Sequence, residues 1–382
     1  MSRTVVSVAG ARPNFMKVAP IHRALQPYEP AVRHIIVHTG QHYDYNMSEL
    51  FFRELGLPQP AVHLGVGSGR HGEQTAKILM AFEEVLLELQ PDLVIVVGDV
   101  NSTIACALAA TKLHIPVAHV EAGLRSFDRR MPEEINRIAT DAIADYAFVT
   151  EQSGVQNLLR EGWDEQRIFF VGNTMIDSLY FALPRIQERP ILQTLQLAPQ
   201  SYVVVTLHRP SNVDDPEQLE QLFRLLQRIS EHRTVVFPIH PRTRKNAEQW
   251  GLLSFLHRET IHLLEPLGYF DFIALVARAD FVLTDSGGIQ EEATVLQVPC
   301  VTLRTTTERP VTIDLGTNIL VNPHAPEQVW AAVEALLAGK RKTGSIPPLW
   351  DGKAAERIAR IVVEDILQIQ QPVQQTVEHV RE

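Results

Sequence analysis

Along this chain, short apolar runs rich in β-branched residues alternate with longer stretches whose apolar positions recur every three or four residues. That alternation predicts parallel sheets assembled from βαβ units, since strands covered on both faces read as continuous apolar runs. In the first half the predicted strands are Thr4–Val8, Arg33–Val37, Leu93–Val97, Val117–Val120, Tyr146–Val149 and Ile168–Val171. In the second half they are Tyr202–Leu207, Thr234–Ile239, Ile261–Leu264, Phe281–Thr284, Cys300–Leu303 and Asn318–Val321. Two such sets predict an α/β chain of two Rossmann-like, doubly wound domains with a cleft between them. The first domain is expected over 1–172 and the second over 173–353, with the boundary near Val171-Gly-Asn-Thr174. A last helix over 354–370 is expected to join the first domain, ahead of a polar tail over 371–382.

One junction carries more chemistry than the rest. The run Thr284-Asp-Ser-Gly-Gly-Ile-Gln-Glu-Glu292 follows the strand Phe281–Thr284 and opens into a helix read from Ile289 to Leu296. A glycine turn of this kind leaves backbone N–H groups free at the positive end of a helix dipole, where phosphate is the commonest occupant. Glu292 then lies one turn in, within reach of a sugar hydroxyl. A tight turn needing glycine for backbone reasons alone is the competing reading. Arg309, in Thr306-Thr-Glu-Arg-Pro310, favours the anion as a diphosphate partner.

Ligands of open parallel sheets bind beyond the carboxyl ends of the strands. At those ends stand Gly10-Ala-Arg-Pro-Asn-Phe-Met-Lys17 with Arg12 and Lys17, then Gly98-Asp99 and Glu121-Ala-Gly123. The second half adds His208-Arg209-Pro210, His240-Pro241 and Asp285-Ser-Gly-Gly288. Met131-Pro-Glu-Glu-Ile-Asn-Arg-Ile138 reads as a helix start with Pro132 in its first turn. There Glu133 and Arg137 are i, i+4 neighbours, and Ile135, Ile138 and Ala142 form the buried face. Gly65-Val-Gly-Ser-Gly69 lacks a preceding predicted strand and has its third glycine misplaced, which argues against a dinucleotide loop. His34, His38 and His42 cross a strand and a turn, which argues against a metal triad. His114 and His119 are placed at a strand entrance and in a sheet interior.

A length of 382 residues fits two cores, and 45% hydrophobic with 21% charged residues describes an ordinary globular chain. The net charge of −10 excludes nucleic acid and anionic membrane as natural partners, so an anionic ligand must be met by local cations. Cys106 and Cys300 are too few for a disulfide framework. The chain enters a strand at once and carries no apolar run of about 20 residues, which predicts a cytoplasmic protein.

Taken together, these blocks resemble the non-hydrolysing UDP-N-acetylglucosamine 2-epimerases. The matching segments are Gly10–Lys17, Gly98-Asp99, His119-Val-Glu-Ala-Gly-Leu-Arg125, Pro132-Glu-Glu-Ile-Asn-Arg137, Val171–Thr174, Thr206-Leu-His-Arg209, Thr284–Glu292 and Thr306–Pro310, in the family's order. The resemblance implies a glycosyltransferase-B-like pair of domains, a homodimer, and no metal or nicotinamide cofactor. It implies reversible C2 epimerisation of UDP-GlcNAc to UDP-ManNAc, a precursor for cell-surface polysaccharide, through elimination of UDP and re-addition to 2-acetamidoglucal. Asp99, Glu121 and Glu133 then match the catalytic carboxylates, Arg137 holds Glu133, and Arg12, His208, Ser286, Gly287, Gly288 and Arg309 meet the diphosphate. Lys17 matches a residue at the sugar or phosphates, Phe272 one at the uracil, and Glu292 one at the ribose.

The chain departs from the best-known members at Asn14, at His208-Arg-Pro-Ser-Asn-Val213, at Leu267-Gly-Tyr269 and at Gln41-His-Tyr-Asp-Tyr45, where those members carry an activator-binding segment. Paralogues with such variants act on sugars such as UDP-2,3-diacetamido-2,3-dideoxyglucuronate. A C5 carboxylate would need a further cation, for which Arg125, Arg129, Arg130 and Arg242 are the loop candidates. The expectation is UDP-GlcNAc as the better substrate, with the uronate epimerase and a non-catalytic UDP-sugar binding protein as alternatives.

Overall fold

The computed structural model describes residues 2–41 and 54–369, and of Arg12 only the backbone. The predicted tail 371–382 and the positions His42, Tyr43, Asp44 and Tyr45 lie outside the described residues. The β-branched runs form two wholly parallel sheets. The first contains β1 (Arg3–Ala9), β2 (Val32–His38), β3 (Val62–His63), β4 (Leu93–Val97), β5 (Val117–Val120), β6 (Tyr146–Val149) and β7 (Ile168–Phe170), in the order β3-β2-β1-β4-β5-β6-β7. The second contains β8 (Tyr202–Thr206), β9 (Thr234–Pro238), β10 (Ile261–Leu264), β11 (Phe281–Thr284), β12 (Cys300–Leu303) and β13 (Asn318–Val321), in the order β10-β9-β8-β11-β12-β13. Each sheet reverses its winding once, between β1 and β4 and between β8 and β11, and such reversals open a crevice at the strand ends.

Twelve strands follow the hydrophobic pattern, with ends displaced by at most one residue. The thirteenth, β3, is two residues long and too short to show a period. Its presence corrects the reading of Gly65–Gly69, which does follow a strand. The turn nevertheless has its amides engaged, since Val66 N–H donates to the Thr39 carbonyl and Gly67 N–H to that of Gly40.

The sheet cores are apolar throughout, β4 being buried at every position. One continuous cluster runs from β1 and the helix Arg12–Leu25 through Ile176 and Leu179 to Tyr269, Phe270 and Ile273. The helix Thr174–Ile186 therefore packs against elements that follow both sheets. Near the end of the chain, Trp350 Nε1 donates to the Thr150 carbonyl at 2.9 Å. Asp177 accepts the first amides of the helix Ala354–Ile361, from Ala354 at 3.1 Å and Ala355 at 2.6 Å. That helix packs on Arg12–Leu25, and its buried Ile358 and Ala359 complete the core beneath β1.

Candidate active site in the interdomain cleft

The β8 and β11 ends are fastened together by Asp285. This buried carboxylate accepts from the backbone N–H groups of His208 and Arg209, both at 2.9 Å, from Asn212 Nδ2 at 3.1 Å, and pairs with His208 Nδ1 at 2.9 Å. Burial alone would raise Asp285, but His208 and the backbone donors bring it below its ordinary value. His208 is thereby aimed from the strand end with one ring nitrogen fixed.

Immediately after, Ser286 leads into the helix Gly287–Val295, which begins two residues earlier than the sequence suggested. No side chain caps it, so its first-turn amides face outward as donors. Gly287 sits in close approach, since a Cβ there would stand 2.7 Å from Arg309 Nη1 and 3.0 Å from Glu308 Oε1 and would have to displace that ion pair. Gly288 packs more loosely, its nearest neighbour being the Met175 methyl at 3.3 Å from such a Cβ. Glu292 is buried one turn on and accepts from the Tyr269 hydroxyl at 2.9 Å. Phe272, half-buried, lies on the adjoining helix Tyr269–Val276.

A buried ionic network joins the two domains. Glu121 pairs with Lys17 through one oxygen and accepts from Arg309 Nη2 at 2.8 Å through the other. Arg309 also donates from Nε to Glu291 at 2.7 Å and pairs with Glu308, which Arg304 holds at 2.7 Å. The Arg309 side chain is only 7% exposed, and Nε, Nη1 and Nη2 each face a carboxylate. Sequence reading saw a diphosphate donor; here the guanidinium is first an interdomain tie. Desolvation works against its charge, yet Glu291, Glu308 and Glu121 hold it well above its ordinary value. Burial also pushes Glu291 up, whereas Arg309 and Arg304 keep Glu308 well down against the same burial. Glu121 itself sits at φ 75°, a left-handed backbone that costs a non-glycine residue about 1–3 kcal/mol and recurs at functional sites.

Asp99 and the helix Pro132–Ile143 require a correction. The helix buries Glu134, Arg137, Thr140 and Asp141, while Ile135 and Ala142 are exposed and Ile138 is half-buried. Arg137 does not hold Glu133. It donates to Asp99 at 2.5 Å and to Glu134 at 2.7 Å and 3.0 Å. Glu134 further accepts the N–H groups of Ser126 and Phe127, both at 2.9 Å, and stays ionised against its burial. The helix therefore turns its ionic face inward, because the partners it needs arrive from other loops, which helical periodicity does not register. Glu133 is left 38% exposed, with Arg209 Nη1 at 3.8 Å.

These groups adjoin one another in space. A Cβ on Gly98 would lie 2.8 Å from Lys17 Nζ, so Lys17, Glu121, Arg309 and Gly287 form a row across the cleft that starts beside Gly98, the residue before Asp99. Asn14 fixes the first loop by accepting from Gly10 and Ala11 N–H at 3.0 and 2.9 Å while donating to the Val97 carbonyl at 3.1 Å. A glutamate could not make that last bond. Arg12 opens the helix at its backbone.

Several contributors were missed or misplaced from sequence. His119 lies inside the sheet as expected, but both ring nitrogens are engaged, Nδ1 with Asp141 at 2.6 Å and Nε2 with the Gly98 carbonyl at 2.8 Å. Asp141 also receives Arg125 at 2.7 Å, and Arg125 reaches Glu161 at 2.6 Å. Arg125 is therefore buried in structure rather than offered to a ligand, and Arg130 and Arg242 pair with Asp128 and Asp214. Glu291 and Glu308, each beside a residue already singled out, were visible only as neighbours.

Known proteins match this chain in both sequence and fold. Residues 24–363 match the family model described as UDP-N-acetylglucosamine 2-epimerase. A UDP-N-acetylglucosamine 2-epimerase of Methanocaldococcus jannaschii is 45% identical over 361 residues, covering 93% of this chain and 97% of that protein. A UDP-2,3-diacetamido-2,3-dideoxy-D-glucuronate 2-epimerase of Pseudomonas aeruginosa is 41% identical over 364 residues, covering 94% and 99%. The crystal structure of the M. jannaschii UDP-GlcNAc 2-epimerase, in complex with UDP-GlcNAc and UDP, superposes with a TM-score of 0.87 at 44% identity over 94% of this chain and 99% of that one. With matches of that extent in both sequence and fold, the chain belongs to the UDP-N-acetylglucosamine 2-epimerase family.

Proposed function

We propose that the protein interconverts UDP-GlcNAc and UDP-ManNAc by inverting C2 of the sugar, supplying UDP-ManNAc for polysaccharide assembly. The observation that carries this reading is the row from Lys17, beside Gly98-Asp99, through Glu121 and Arg309 to the amide end of Gly287–Val295. It sets proton-transferring carboxylates from one domain against anion donors from the other. A carboxylate removes the C2 proton, the C–H pair becomes the C1=C2 bond, and the C1–O pair leaves with UDP. Reversal, with the proton delivered to the other face, gives the epimer. Asp99, Glu121 and Glu133 are the proton-transfer groups, and a set of carboxylates suits two opposed faces. Arg137 keeps Asp99 in place.

The C2 hydrogen is weakly acidic, so stabilising the departing diphosphate contributes most. His208, Ser286, Gly287 and Gly288 are the donors assigned to it, together with Arg12. Lys17 and Arg309 act through Glu121 as well as through any contact with the nucleotide. Glu292 accepts from the ribose and Phe272 contacts the uracil. Incubation with UDP-GlcNAc in D2O, followed by NMR, tests the reading. Deuterium at C2 with accumulation of the manno epimer is expected. An unchanged spectrum counts against it, and release of free sugar with UDP would indicate hydrolysis instead.

The 41% identity to the P. aeruginosa uronate epimerase keeps a second substrate in view. A C5 carboxylate needs a cation, and of the four loop candidates Arg125, Arg130 and Arg242 are each paired with a carboxylate, while Arg129 is exposed. UDP-GlcNAc, which needs no such cation, is taken as the preferred substrate, and Arg129 is the candidate left to serve the uronate. A tenfold or greater kcat/KM advantage for the uronate, about 1.4 kcal/mol in transition-state binding, would reverse that choice.

A further inference from the structure

Of the three candidate proton-transfer carboxylates, two are immobilised by charge and one is not. Arg137 holds Asp99 within the first domain, and Lys17 with Arg309 holds Glu121. Glu133 stands in the first turn of its helix, and its expected i+4 partner is committed elsewhere. Among the described residues the cation within 4.0 Å of it is Arg209, whose Nη1 lies 3.8 Å from Glu133 Oε1. That gap exceeds a hydrogen bond by less than an ångström.

Arg209 arrives from the opposite domain and is well placed to act. Its backbone N–H is clamped by Asp285 in the same set of bonds that aims His208, so its Cα is fixed at the end of β8. Its side chain is 21% exposed, and its buried Nε has no hydrogen-bond partner among the described residues. A guanidinium with a fixed root and an unsatisfied donor can swing a short distance at little cost. Arg137 and Arg309 cannot, being locked between carboxylates.

We propose that Arg209 is a positioning residue for Glu133, reaching across the cleft to close the 3.8 Å gap and aim its carboxylate at the sugar. This rests on the epimerase reading. Each proton-transfer group then has its own cation, and the one serving Glu133 comes from the opposite domain.

The test uses the full chain with UDP-GlcNAc, reading C2 deuterium exchange, steady-state kinetics and UDP affinity for wild type, R209M, R209K, E133Q and R209M/E133Q. Unchanged melting and UDP binding establish that each variant is folded. With wild type active, R209M is expected to lower kcat about 10- to 100-fold while KM and the UDP Kd move less than about threefold, and R209K to recover most of the loss. In the E133Q background the R209M change should cost less than about twofold, because its effect passes through the missing carboxylate. A full additional loss in that background, a loss confined to UDP affinity, or normal turnover in R209M would each overturn the assignment. Absence of exchange in wild type would instead remove the epimerase reading beneath it.

Discussion

Replacing Arg137 by Met probes stability and chemistry together. The side chain is 2% exposed and its guanidinium serves Asp99 at 2.5 Å and Glu134 at 2.7 Å. Methionine fills similar space without charge, so the cost comes from stranding two carboxylates. Removing one partner of a buried pair typically costs about 3–5 kcal/mol. Glu134 keeps its two backbone donors and the Ser126 hydroxyl, and Asp99 is partly exposed, so the lower end, about 3 kcal/mol, is expected here. For domains of this size that corresponds to a melting point lower by about 6–12 °C. Turnover should fall further than stability suggests, by about 100-fold or more, because Asp99 loses its orientation. The double variant R137M/E134M should regain little of the stability, because removing Glu134 also takes the acceptor from the Ser126 and Phe127 N–H groups. It should regain none of the activity, because Asp99 remains unheld. Calorimetry and kcat measured on both variants decide the matter. A melting point within about 2 °C of wild type in R137M, or activity restored in the double variant, would refute the argument.

Two further outcomes concern other buried charges. R309M should lower kcat by about 100-fold while the UDP Kd changes less than about threefold, because the guanidinium is bound to Glu121, Glu291 and Glu308. Calorimetric titration with UDP showing an equal loss of affinity would return Arg309 to the diphosphate. Glu151, whose carboxyl is pushed up to about 7 by burial, is neutral in the folded protein at low pH. A carboxyl raised on folding adds stability that is fully present below its unfolded value and is lost as pH rises through the folded one. Urea unfolding should therefore show stability falling between about pH 4.5 and 7, by about 1.4 kcal/mol per pH unit at most from this group, and E151Q should flatten that slope. An identical slope in E151Q would show that Glu151 does not titrate in this range.

The sequence determined the local alternation and the chemistry at its punctuation marks. β4 reads as a strand because five apolar residues in a row have nowhere to go but between two helix layers, and the structure buries all five. The turn Asp285–Gly288 reads as a ligand site because glycine and an open helix start are local properties. What no local pattern encodes is which charge meets which. Periodicity on the helix Pro132–Ile143 favoured an inward apolar face, yet Asp99, Ser126 and Phe127 approach from other loops and bury Glu134 and Arg137 instead. Arg309 carries the same formal charge in any conformation, but only the meeting of Glu121, Glu291 and Glu308 around it makes it a tie between domains rather than an open anion donor. Arg209 and Glu133 are 76 positions apart in the chain and stand 3.8 Å apart only because the two sheets point their strand ends at each other. Coulomb energy depends on distance and burial, and both are set by the packing of whole domains.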